Sequence, residues 1–434
     1  MSGHRPVALA AAVLCAALPS PLAAAVTPPP VDHAALPPAG AAAPPGPTEQ
    51  IGQCKAAPPA PPGPRTQLST LHLPAVWAIS RGAGQTVAVI DTGVARHRLL
   101  PRLLPGGDYV GSADGTADCD GHGTAVAGII AGSAEGSFSG VAPEAAILAI
   151  RQSSSMFRLT GAHDSDGLGD VDTLAKSVRS AADAGASVIN ISTVACLPIA
   201  ESLDDRALGA ALAYAVDVRN AVVVAAAGNV GGPCEKQNPL SSSKNRGLPD
   251  WDGVYSVVSP AWYDDYVLTV GSVRPGGEPS EFSLAGPWVD VAAPGEDVLS
   301  LDNHGEQLIA AVPGGDRPLA GTSYAAPVVS ALAALVRARQ PGLSARQVMA
   351  RIKDTARHPA EGWNPRVGRG VVDPLAAVSA DPAPVAAVAS QAATATPAQR
   401  PADRARPRRI AFTGSGICLS VALATLSGLR LRRR

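Results

Sequence analysis

Gly321–Leu335 reads GTSYAAPVVSALAAL. Two small hydroxyl residues, Thr322 and Ser323, stand directly before a long apolar run. The run predicts a helix over Thr322–Arg339. Ser323 has two readings. A serine at a helix start can satisfy free backbone N–H groups as a cap. It can also be a nucleophile held at the positive end of the helix. What surrounds the helix in the rest of the chain decides between them.

Six short apolar runs precede it, each ending in small or polar residues: QTVAVID (85–91), AAILAIR (145–151), ASVINIS (186–192), AVVVAAAGN (221–229), YVLTVGSV (266–273) and WVDVAAPG (288–295). Near-continuous Val, Ile and Ala is the pattern of strands buried on both faces of a parallel sheet. Helical stretches fall between or after them at Asp172–Ala184, Leu203–Asn220 and Ser344–Arg357. The alternation predicts an α/β domain over residues 71–380, with a mainly parallel sheet covered by helices on both faces.

The 434 residues contain 44 Gly and 41 Pro but only 3% aromatics, so the core has to be built from aliphatic side chains. A formal charge of -1 gives no reason to expect a nucleic-acid partner. Residues 1–25 read as a signal peptide, with the apolar run Val7–Leu18 followed by Ala23-Ala24-Ala25 as the cleavage site. Residues 26–70 form a Pro/Ala-rich arm that cannot build a core alone, and 381–409 form a similar linker. Residues 410–429 carry no charge and are long enough for one membrane-spanning helix. A basic tail, 430–434, follows. With the signal peptide setting orientation, the expected location is a single-pass cell-membrane protein, its main domain outside and its tail cytosolic. Cys54, Cys119, Cys196 and Cys234 lie in the exported part. An even number there favours two disulfides, with three possible connectivities. No C-x-x-C spacing supports zinc. The stretch DSDGLGD (164–170) lacks the spacing and closing Glu of a calcium loop. No metal and no cofactor are expected.

In open α/β sheets, ligands bind beyond the C-terminal strand ends. Asp91 follows TVAVI, Asn229 follows VVVAAAG, and His122 sits between glycines in DCDGHGTAVAGIIAG. Each alone could be a turn or cap residue. Together with Ser323 they fill four roles. A serine hydroxyl needs a base. An imidazole supplies one near neutral pH. A carboxylate fixes the imidazole tautomer. A side-chain amide can meet the developing oxyanion.

VAVIDTGV (87–94), DGHGTAVAGIIAG (120–132), VVVAAAGN (222–229) and GTSYAAPVVSALAAL (321–335) resemble, in the same order, the signatures of the subtilisin-like serine proteases. The resemblance implies a Ser/His/Asp endopeptidase on a subtilisin-like three-layer fold. Asp91, His122 and Ser323 would be catalytic, with Asn229 in the oxyanion hole. Gly121 and Gly123 would let the backbone pass close beside His122.

ADCDGHGT (117–124), VINISTVACL (188–197), LGAALAYAVDVRNAVVVAAAGN (208–229), VVSPAWYDDYVLTVGSV (257–273), GPWVDVAAPGE (286–296) and DTARHP (354–359) are similar to the mycosins, membrane-anchored subtilases of type VII secretion systems. This closer resemblance implies that the arm wraps the catalytic domain and is not a cleavable inhibitor. It implies disulfides Cys54–Cys119 and Cys196–Cys234. It implies substrate-binding segments containing Ser192, Thr193 and Val194 and Ala225, Ala226, Ala227 and Gly228. Where many subtilases have a Gly-rich edge, this chain has STVACL, which suggests a tighter cleft. The loop 153–170 would be a lid or an inert surface loop. The implied partners are a secreted protein or peptide substrate, the membrane complex of a type VII system, and the bilayer. Two alternatives stand beside this reading: a general cell-surface subtilase, or mainly a structural scaffold of the secretion complex.

Overall fold

The computed structural model describes residues 26–61, 67–162, 167–232, 234–240 and 247–379. The expected signal peptide, linker, membrane helix and basic tail lie outside these residues. Among the described residues, no helix is long and apolar enough to cross a membrane.

Thirteen strands are described: β1 Thr48–Gln50, β2 Thr86–Asp91, β3 Leu103–Asp108, β4 Ala146–Arg151, β5 Phe157–Leu159, β6 Val188–Ile191, β7 Ala195–Pro198, β8 Val222–Ala226, β9 Ser256–Ser259, β10 Leu268–Val273, β11 Val291–Pro294, β12 Ser300–Leu301 and β13 Leu308–Ile309. Seven of them make one sheet in the order β11-β10-β8-β6-β2-β4-β3. Every pairing in that sheet is parallel. All six apolar runs of the sequence are in it. The seventh strand, β3, escapes a pattern reading because LLPGGD holds a proline and two glycines. A proline lacks the ladder N–H and is tolerated at a sheet edge, which is where β3 lies.

The helices are α1 Leu73–Trp77, α2 His122–Ala131, α3 Val171–Asp183, α4 Arg206–Ala213, α5 Thr322–Arg339, α6 Ala345–Asp354 and α7 Pro374–Ser379. Helices α2 and α5 pack on each other and on the sheet, while α3 and α4 form a second packed pair. Helix α5 is buried from Tyr324 to Val336, as its unbroken apolar sequence demands. Its alanines bring it close to β6, β8 and β10. By contrast α3 and α6 are amphipathic and open on capping boxes, Asp170 with Thr173 and Ser344 with Gln347. The helix expected over 203–220 is α4 followed by a π-helical turn at Tyr214–Val218.

The Pro-rich arm has no core of its own and is tied to the domain instead. Strand β1 pairs antiparallel with β5. Gly314 N donates to Ala56 O at 2.9 Å, and Ala60 N to Leu308 O at 2.7 Å. Glu49 and Arg158 form an ion pair at 2.8 Å. Leu68 and Leu71 are already part of the main core. Strand β5 lies within the loop 153–170, so the arm holds that part of the loop at Phe157–Leu159.

Candidate active site

Strand order brings the site together. β2, β6 and β8 are neighbours, so their C-terminal ends place Asp91, Ser192 and Asn229 along one edge of the sheet. Helices α2 and α5 then begin directly above that edge, with His122 as the first residue of one and Ser323 as the second residue of the other.

His122 Nδ1 lies 2.7 Å from Asp91 Oδ1, and Nε2 lies 3.0 Å from Ser323 Oγ. The sequence separations are 31 and 201 residues. Asp91 is fully buried, and its Oδ1 also accepts from Thr92 N at 2.7 Å. The imidazole is 27% exposed, so a substrate can reach it. Burial alone would lower its pKa, but the charge of Asp91, its hydrogen bond, and the more distant Asp118 and Asp120 together raise it above 6.5. The ring of Tyr324 tilts against it at 5.2 Å.

Glycines make these approaches possible. A Cβ on Gly123 would stand 2.0 Å from Gly93 O and 3.0 Å from Asp91 Cβ. Gly121 has φ +81°, the left-handed region open to glycine. The turn before His122 is organised by buried Asp118. Its carboxylate accepts from Thr92 Oγ1, Gly121 N, Thr124 N and Thr124 Oγ1 at 2.7–2.9 Å. Burial pushes its pKa up to about 6 against these donors. Strand and helix patterning does not single out Asp118 or Asp120; the signal for them is two acids flanking Cys119 just before a Gly-His-Gly turn.

Asn229 is exposed, and its Oδ1 accepts from Thr322 N at 2.9 Å and Thr322 Oγ1 at 3.0 Å. Those bonds fix which end of the amide faces the helix and leave Nδ2 toward the serine. A Cβ on Gly321 would lie 3.4 Å from Nδ2 and 3.0 Å from Ser323 Oγ, so the glycine keeps the space between them open.

The segments named for substrate differ in what they present. Ser192 Oγ is engaged, donating to Ser323 O at 2.9 Å and accepting from Asn190 Nδ2 at 2.9 Å. Thr193 and Val194 line a cavity of about 340 Å³ with Leu174 and Leu203. Ala225 and Ala226 lie inside β8, and Ala225, Ala226 and Ala227 are buried. Gly228 N donates to Thr322 Oγ1 at 3.2 Å. The disulfides are Cys54–Cys119, with Cα atoms 4.5 Å apart, and Cys196–Cys234, at 5.2 Å. The first anchors the arm three residues before His122. Among the described residues, no group of three or more His, Cys, Asp or Glu is arranged to hold a metal ion.

The sequence model of the subtilase family (Peptidase S8) matches residues 82–370. Mycosin-4 of Mycobacterium tuberculosis is 54% identical over 433 residues, covering 96% of this chain and 93% of that protein. Mycosin-3 of the same organism is 44% identical over 452 residues, covering 98% and 97%. The structure of the MycP3 protease from the type VII (ESX-3) secretion system is similar with a TM-score of 0.77 and 48% identity, over 82% of this chain and 100% of that one. A chain of the intact ESX-5 inner membrane complex is similar with a TM-score of 0.77 and 41% identity, over 93% and 99%. An aspartate, a histidine and a serine brought into one hydrogen-bonded row on this sheet are what such relatives lead one to look for, and the chain belongs to the subtilase family of serine proteases and, within it, to the mycosins.

Proposed function

We propose that Asp91, His122 and Ser323 hydrolyse peptide bonds as a catalytic triad. The observation that carries this reading is the position of one imidazole between a buried carboxylate and a serine hydroxyl. His122 Nε2 takes the Ser323 proton as Oγ bonds to the scissile carbonyl carbon. The carbonyl π electrons move onto oxygen, where Asn229 Nδ2 and the backbone N–H of Ser323, at the start of α5, meet the charge. His122 then returns the proton to the leaving amine, the C–N bond breaks, and an acyl-enzyme remains. Water, deprotonated by the same imidazole, releases it. Asp91 holds the Nδ1–H tautomer throughout.

The biological setting we infer is a type VII secretion system. The protein would be tethered by residues 410–429, with its catalytic domain on the extracytoplasmic side, and would process a secreted protein. Similarity to a chain of an inner membrane complex favours a second, structural contribution to such a complex. The two roles separate in cells carrying wild type, Ser323→Ala or a full deletion. Loss of processing with export retained in Ser323→Ala, and loss of both in the deletion, is the expected result. Equal processing by wild type and Ser323→Ala would remove the catalytic assignment and leave the scaffold. Intact export in the deletion would leave a surface protease without a secretion role.

A further inference from the structure

His122 and Ser323 ride on different helices, the imidazole on the first residue of α2 and the hydroxyl on the second residue of α5. The residue after the nucleophile, Tyr324, touches the base. Its ring centroid lies 5.2 Å from that of the imidazole, with the two planes tilted by 42°. Tyr324 is 5% exposed and belongs to the main core. Its backbone N donates to Gly321 O at 3.1 Å, which closes the turn that carries Ser323. The nucleophile and the ring against the base are therefore parts of one fixed turn.

The imidazole needs such a support because its polar contacts do not last through the reaction. At rest it is held by Asp91 Oδ1 at one nitrogen and by Ser323 Oγ at the other. Once Oγ has bonded to the scissile carbon, Nε2 has lost that partner. One hydrogen bond, from Nδ1 to Asp91, then has to keep the ring in place. The imidazole is 27% exposed, and both rings line an open cavity of about 410 Å³, so there is room for it to swing out. Tyr324 limits that swing from the side of α5. The hydroxyl of Tyr324 makes no hydrogen bond among the described residues, so its contact with His122 is made by the ring alone.

We propose that Tyr324 is a positioning residue, whose ring keeps the His122 imidazole aimed first at Ser323 Oγ and then at the leaving amine. This rests on the proteolytic reading above. It deepens that reading by assigning a residue that steadies the base from the helix of the nucleophile. A core-filling role is the competing account, and a flexible apolar side chain would serve it as well as a rigid ring.

The test uses the full-length protein in detergent with unfolded, reduced casein. Cleavage sites are mapped by mass spectrometry, and an internally quenched peptide is built on one of them. Tyr324→Phe keeps the ring and should hold kcat within about twofold of wild type. Tyr324→Met is apolar but flexible, and it should lower kcat by about tenfold or more, the scale on which small misplacements of reacting groups act. KM should move by less than about twofold in both, because no contact with substrate is removed. NMR of isotope-labelled histidine supplies the second readout. In wild type and Tyr324→Phe, the His122 ring protons should be displaced by the adjacent aromatic ring, and the Nδ1 proton shared with Asp91 should be slow to exchange. In Tyr324→Met that Nδ1 proton should exchange rapidly. Wild-type kcat in Tyr324→Met overturns the proposal. So does an equal loss in Tyr324→Phe, which would give the role to the hydroxyl. A lowered Tm with the Nδ1 proton still protected in Tyr324→Met is the core-filling outcome and overturns it too. If Tyr324→Met does not fold, Tyr324→Leu takes its place, and absence of the ring-proton displacement in wild type is by itself enough to overturn the proposal. If casein is cleaved equally by wild type and Ser323→Ala, or by neither, the protease reading itself fails and the positioning role fails with it. Failure of the Tyr324 predictions alone leaves the protease reading standing.

Discussion

The hydroxyl of Ser192 donates to the backbone carbonyl of Ser323 at 2.9 Å. In an uninterrupted helix that carbonyl would accept from the N–H four residues later. Here the fourth residue is Pro327, inside α5, and it has no N–H to give. The strand-end serine replaces the missing bond. Ser192 is itself held by Asn190, whose Oδ1 accepts from Ser330 Oγ at 2.8 Å, one turn beyond the proline. The start of the nucleophile helix is thus fastened to β6 by a chain of buried side chains.

Ser192→Ala removes that fastening and leaves both the Ser323 carbonyl and Asn190 Nδ2 short of a partner. Unsatisfied buried polar groups cost about 1–3 kcal/mol each. Chemical denaturation should report a loss in that range, and kcat should fall by about tenfold or more as the nucleophile loses its position. Wild-type stability and turnover in the variant would remove Ser192 from this role.

Asn229→Asp keeps an oxygen facing Thr322 and deletes the Nδ2 donor. Removing one oxyanion donor costs roughly 10²–10³ in turnover. The expected signature is a fall of that size in kcat with KM nearly unchanged. A change confined to KM would place Asn229 in ground-state binding.

The raised pKa of His122 sets the acid side of the pH profile. The base must be neutral to accept the Ser323 proton, so kcat/KM should rise with pH through an inflection above 6.5. Asp91→Asn removes the principal raising charge. The inflection should move to lower pH, and kcat should drop by about 10⁴, as expected for loss of the carboxylate that fixes the tautomer. The same shift acts on stability with a defined sign. A folded-state pKa above the unfolded 6.5 gives stabilisation that is fully present below pH 6.5 and is lost as pH rises through the folded value. Titration of the imidazole by NMR, in wild type and Ser323→Ala, reads the pKa directly.

Cys54–Cys119 closes a chain segment with a sequence separation of 65 residues, and Cys54 itself is exposed. Replacing both cysteines with serine should destabilise the fold by about 2–4 kcal/mol. The Tm should fall, and an added protease should nick the arm near Gln53–Lys55 while the domain core stays intact. Unchanged Tm and a protected arm would mean that the β1–β5 pairing and the Glu49–Arg158 contact suffice by themselves.

Much of the fold was readable because its elements are locally consistent. The six central strands are unbroken aliphatic runs, and α5 is a long apolar segment led by hydroxyls. β3 was not readable, because its Pro105 and glycines are acceptable solely at a sheet edge. Nor were the ribbons β1–β5 and β7–β9. They consist of three or four residues each and owe their form to the partner strand.

The sequence by itself determined which chemical groups are present and the local turns that carry them: Asp91 after a strand, His122 between glycines, Asn229 after a strand, and Ser323 at a helix start. These are short-range properties, set by strand and helix periodicity and by glycine's freedom near tight approaches. The tertiary structure alone decided that β2, β6 and β8 are neighbours, that Ser192 substitutes for the N–H absent at Pro327, and that the ring of Tyr324 meets the imidazole. Those relationships join residues far apart in the chain. They arise when the sheet buries both faces and the helices close on it, and local preference does not encode which strand ends will then meet.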